Sequence, residues 1–150
     1  MRIWAIGSAA VLLGIIVGGV VNMTIVMQGS GLVPLPDGVD PTDPESIAAN
    51  MHRFGPAHFV APWLAHAAGS FVGGLVAALI AVRHRMRFAL GIAAFTLLGG
   101  IANAVLLPAP VWFLVADLLG AYLPMGWLAG RLALSLRPEP AEPALRAPEA

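Results

Sequence analysis

The chain contains no cysteine and no lysine, and only 11% of its 150 residues are charged. Without cysteine there is no disulfide framework, no thiolate metal site and no thiol nucleophile. Without lysine there is no Schiff-base chemistry and no P-loop lysine. A soluble domain carries roughly 25% charged residues, so the shortage of charge points to lipid as the surrounding solvent. Eight arginines balance eight Asp plus Glu, and no basic patch is interleaved with aromatics. Nucleic acid is therefore not an expected partner. A Gly-rich phosphate loop, an HExxH helix and a Ser/His/Asp pattern are all missing as well.

What the chain does have is apolar length. Hydrophobic residues make up 59% of it, with a mean hydropathy of +0.84. Four apolar segments run at about 3–27, 57–82, 88–107 and 110–134. Each is near or above the ~20 residues that cross a bilayer as a helix. Helices satisfy their own backbone in lipid, and no segment alternates with period two as a barrel strand would. The first segment is too long for the usual ~7–15-residue core of a signal peptide, and no A-x-A-like site follows closely. It reads as a retained helix. The expected fold is an all-α membrane protein, a four-transmembrane-helix bundle over residues 1–136. The Pro/Ala/Glu-rich stretch 137–150 reads as a disordered cytoplasmic tail.

Arginine sets the expected orientation. Arg2, Arg83, Arg85, Arg87, Arg131 and Arg137 flank one side of the segments. Asp37, Asp40, Asp43 and Glu45 face a single Arg53 in link 28–56 on the other. Positive-inside charge predicts both termini and residues 83–87 in the cytoplasm, in the inner (plasma) membrane of a cell. The link 28–56 and the "LPAP" turn (107–110) then lie outside. Within the link, Asp43 is a candidate N-cap with Pro44 at the first helical position, so a short helix is expected at about 44–54. Its Ile47, Met51 and Phe54 share a face that suits the bilayer surface or the end of the bundle.

Small residues recur every four positions: Ala10, Gly14, Gly18 and Asn22, then Ala65, Gly69, Gly73 and Ala77, with Gly126 and Gly130 later. Such stripes let helices approach closely in lipid. They predict packing within the bundle or, with one stripe outward, a homo-oligomer. Polar groups inside the apolar runs are few. Asn22 and Asn103 each follow a pair of glycines ("GGVVN", "GGIAN") and are expected about four or five residues before their helix ends, roughly 6–8 Å below the outer boundary. His66 and Asp117 are expected roughly 10–14 Å below the same surface on helices of opposite direction. An ionisable group at the helix centre costs about 2.5–3.5 kcal/mol on insertion scales, so it needs a partner or a wet cavity. Asn22, His66, Asn103 and Asp117 thus form a candidate polar cluster, structural or ligand-binding. The spacing of "GGxxN" and [His/Asp]-x-x-Gly also admits a duplication, two helix hairpins repeated in parallel. His52, His58 and His66 match no familiar metal-ligand spacing, the link's carboxylates lack calcium-loop spacing, and no cofactor is expected. Trp63, Trp112 and Tyr122 toward one boundary, and Trp4 and Trp127 toward the other, read as aromatic belts.

The segments "GGVVN", "PLPDGVD", "HFVAPWLAHAAGSFVGG", "GGIANAVLLPAPVWF" and "DLLGAYLPMGWLAG" together resemble small four-helix bacterial membrane proteins with no known activity. The resemblance spans about residues 10–132. It implies a four-helix bundle in an inner membrane and carries over no catalytic residue. Two functions follow as expectations. One is an interaction or accessory bundle, partnered by lipid and by a second copy or another membrane protein, with a structural polar cluster. The alternative is a small-molecule, transporter-like or enzymatic site built from that cluster.

Overall fold

A computed structural model describes residues 2–140, apart from the side chains of residues 2–4 and 30; residues 141–150, most of the expected tail, lie outside it. Every regular element among the described residues is helical: α1 (Arg2–Leu32), α2 (Pro44–Asn50), α3 (Val60–Ile80), α4 (Arg85–Leu106), α5 (Val111–Gly120) and α6 (Leu123–Leu136), with 3-10 turns at Met51–Arg53 and Pro56–Phe59. Four stretches are long and apolar enough to cross a membrane: Ala5–Gly29, Pro56–Ile80, Arg85–Leu106 and Val111–Leu136.

Beyond shifts of a few residues, among them the short helix that passes at Met51 into a 3-10 turn, two boundaries differ from the sequence reading. Helix α1 runs on to Leu32, past the expected end near residue 27, because nothing in "VMQGSG" stops it before Pro34. The expected single helix at 110–134 is broken at Ala121 and Tyr122. Tyr122 leaves helical geometry (φ −116°, ψ −82°), and Pro124 sits in the first turn of α6, where its missing N–H does no harm.

Helix α3 is the hub, in contact with α1, α4 and α6. The α1–α3 contact is glycine on glycine. A methyl group at Gly18 would lie 2.7 Å from the Gly69 carbonyl oxygen, and one at Gly14 would lie 2.8 Å from that of Gly73. The opposite face of α1 carries exposed Leu12, Ile16, Val20, Met23 and Met27. The helix is therefore apolar all round, with small residues toward protein and large ones outward. Gly126 and Gly130 serve the α4–α6 contact, meeting Ala93 and Met86. Alanines 78, 89, 129 and 133 fill the three-way contact of α3, α4 and α6. All six predicted packing glycines thus face other helices of the same chain. The paired glycines are used differently in the two "GGxxN" motifs. Gly18 is the contact in the first and Gly19 is open, whereas Gly99 is open and Gly100 is the contact in the second.

The ends of the bundle differ in chemistry. At the arginine end, His84 adopts the left-handed conformation (φ 58°) and turns the chain between α3 and α4. Arg85 is buried and donates to the carbonyls of Ala78 (2.7 Å) and Leu79 (2.9 Å), while Arg137 also donates to Leu79 (2.9 Å). Glu139 accepts from the Arg85 backbone N–H at 2.9 Å. Positive groups thus meet a helix C-terminus and a negative group meets a helix N-terminus, each the favourable sign. Residues 137–139 accordingly bond back onto the helices, in the stretch where the sequence suggests only a tail.

At the link end, Asp43 caps α2 by accepting from Glu45 N–H at 2.9 Å. Met51 packs with Phe59 and Phe113, and Ile47 and Phe54 join the same cluster. The apolar face of the short helix therefore closes the end of the bundle. His58 accepts from Gly55 N–H (3.0 Å) and donates to the Pro34 carbonyl (3.1 Å), tying the link to the start of α3. The Thr42 backbone N–H, and then its hydroxyl, hold the Asp40 carboxyl below its ordinary value. That turn keeps its support above the ordinary carboxylate range and loses it as pH falls through the lowered value.

Candidate functional site

Asp117 lies on α5 and is among the most buried polar residues of those described, at 4% exposure. His66, on α3, donates through Nδ1 to Asp117 Oδ1 at 2.8 Å. The break after α5 brings Tyr122 to the same carboxylate, and its hydroxyl donates to Oδ2 at 2.9 Å. The His66 and Tyr122 rings stack with centroids 5.6 Å apart and planes 27° apart. Gly100 on α4 makes the room: a methyl there would collide with the Tyr122 hydroxyl. Trp63, one turn before His66, donates to the Ala116 carbonyl at 3.1 Å and ties α3 to α5. The buried carboxylate therefore holds one strong donor on each oxygen, as a buried charge must to remain in an apolar setting.

Above this cluster, under the link-end closure, is a cavity of about 480 Å³. His66 and Asp117 border it beneath Met51, Phe54 and Leu114, and Asn103 borders it from the exposed face of α4. Its size falls in the usual range for small-molecule sites, and its apolar lining with a few polar groups is typical of them. Near the arginine end α1 approaches α4, with Gly7 beside Phe88 and Gly14 beside Ile92.

The predicted four-residue cluster is only partly assembled. His66 and Asp117 pair, and Asn103 reaches the cavity without a side-chain hydrogen bond among the described residues. Asn22 does not join them. It packs half-buried against Gly69, forms no side-chain hydrogen bond among the described residues and does not border the cavity. The reason is the longer α1, whose end is ten residues beyond Asn22, about 15 Å at 1.5 Å per residue. Among the described residues no three His, Asp or Glu gather where a metal could bind.

Two aromatics that the sequence places in the belts do more than that: Tyr122 is buried and hydrogen-bonded inside the bundle, and Trp63, half-buried at its edge, bonds across to α5. The available signal was the only tyrosine of the chain standing between Asp117 and Pro124. The sequence reading also missed a polar pair deeper in the bundle, Ser70 Oγ and Thr96 Oγ1 at 3.0 Å, which links α3 to α4. Trp127 does stay exposed, with Arg131 5.4 Å above its ring, as an interfacial aromatic would be. Compared with family models, curated proteins and solved structures, the chain matches none.

Proposed function

We propose that this is a multi-pass inner-membrane protein that binds a small, largely apolar molecule in the half of the bundle facing away from the cytoplasm. The observation that carries this reading is the cavity of about 480 Å³ bordered by His66, Asp117 and Asn103. The arginine distribution supports an orientation with both termini and residues 83–87 in the cytoplasm. Binding is favoured over catalysis because the hydroxyls near the pair are engaged: Tyr122 donates to Asp117, and Ser70, one turn along α3, is held by Thr96 and does not border the cavity. A transport role would need more than one copy, since four helices enclose little space for a path. Native mass spectrometry from mild detergent tests the proposal. A small-molecule adduct is expected on the wild type and should be lost in Ala104→Phe, which fills the cavity. A wild type free of adducts, with both proteins equally stable to heat in the presence of lipid extract, would overturn it.

A second reading is supported by the direct pairing of Asp117 with His66 and Tyr122. In it the bundle is an accessory protein whose polar cluster locks α3 to α5, and its partner is another membrane protein or a second copy. Cross-linking that captures such a partner through α1 while the cavity variant behaves as wild type would favour it. The resemblance to small four-helix bacterial membrane proteins, and the hairpin duplication, fit either reading.

A further inference from the structure

The hydrogen bonds beneath the cavity restrict what an occupant must offer, given the reading that the cavity takes a small molecule. Tyr122 donates to Asp117 Oδ2 at 2.9 Å, and His66 Nδ1 lies 2.8 Å from Oδ1. With Asp117 taken as an ionised carboxylate, it accepts from the Tyr122 hydroxyl on one oxygen and from the His66 ring N–H on the other. The imidazole proton is then on Nδ1, and in the neutral ring Nε2 is a bare acceptor. No protein group among the described residues reaches Nε2, and it is not one of the fully buried, unpartnered atoms. The ring itself is mostly buried, with its side chain 17% exposed, and borders the cavity. Most other polar groups around the space are already occupied. The Thr24 hydroxyl donates to Val20 O at 2.8 Å, both His58 nitrogens are engaged, and Asp117 has both oxygens filled. Asn103 and Gln28 make no side-chain hydrogen bond among the described residues, and both are exposed.

We infer that the cavity recognises an apolar molecule ending in a hydroxyl group, which donates its hydrogen bond to His66 Nε2. Asp117 and Tyr122 are positioning residues that hold the tautomer and the ring plane, as an outer carboxylate does for a metal-bound histidine. An ether or ester of the same chain has no hydrogen to give and leaves Nε2 unpaired. A carboxylate ligand would approach the Asp117 charge through one ring, which disfavours it. An ammonium would have to shed its water in a space lined almost entirely by apolar side chains. The hydroxyl is the neutral donor that fits.

The test uses the full chain in lipid nanodiscs, with histidine ring nitrogens labelled with ¹⁵N. The spectrum of His66 is expected to show Nδ1 protonated and Nε2 bare. The probes are 1-decanol, its methyl ether and decane. Decanol should bind saturably and shift the Nε2 resonance, with an affinity about tenfold or more above that of the ether. The ether should leave Nε2 unmoved. His66→Phe should bind decanol and ether alike. Since that variant strands Asp117, a second one, Asp117→Asn, keeps a hydrogen-bonding side chain in place. Its amide N–H can donate to Nδ1 and move the imidazole proton to Nε2, so the preference for the alcohol should shrink or reverse. Saturable binding without an alcohol preference, or a wild-type Nε2 that carries a proton, would overturn the inference and leave the cavity as a binding site. No saturable binding of any probe would overturn both.

Discussion

Asp117 holds two donors on a carboxylate that water scarcely reaches, so substitutions there act through the groups they strand. Asp117→Asn should be mild, since an amide still accepts from one neighbour and is less costly to bury. Asp117→Leu should lower the melting temperature more, because stranding each buried donor costs about 1–3 kcal/mol. Adding His66→Leu should recover part of the loss, and adding Tyr122→Phe as well should recover most of it, since no unpaired polar group then remains. A thermal double-mutant cycle between positions 117 and 66 should give a coupling of about 0.5–3 kcal/mol, and additivity would mean that the pair does not interact. Gly100→Ala should resemble Tyr122→Phe in its melting temperature, because the added methyl displaces the same hydroxyl. The His66–Asp117 pair could be read from the sequence because, with His58 at the very edge of its run, they are the only His and Asp well inside the four apolar runs, at similar depth. Tyr122 could not, because its role depends on a backbone break that lets a residue five positions on reach the same carboxylate. Asn22 was misplaced for the converse reason, an unforeseen extra length of helix.

Helix spans were legible because each rests on an apolar run of bilayer length, and the capped helix was legible through Asp43 and Pro44. The α5–α6 break was not, since the run is apolar on both sides of it and only Pro124 marks the place. Gly18→Leu tests how α1 is held. The side chain would enter the Gly69 carbonyl, and overpacking typically costs about 1–3 kcal/mol. A lower melting temperature or a changed oligomer size is expected on chromatography. Wild-type values for both would show that α1 does not dock on α3 through this stripe. The closure at the link end makes a separate prediction. Met51→Ala removes the centre of its cluster and should cost about 2–5 kcal/mol, while exposing residues 44–54 to limited proteolysis.

At the scale of the whole molecule, reporter fusions at His84 and at the C-terminus should both report cytoplasm, and a fusion at Thr42 should report the opposite side. A reversed pattern would invert the proposed orientation. The two faces of α1 also have a consequence in time. The helix meets protein almost only through α3, whose Gly69 is made about fifty residues after Gly18. At ~5–20 residues per second that interval is roughly 3–10 s. During it α1 resides in lipid with its glycine stripe uncovered, and the same stripe on a neighbouring nascent chain is equally uncovered. The later arrival of α3 ends that interval, so the rate of translation through residues 19–69 sets how long wrong pairings of α1 have to form.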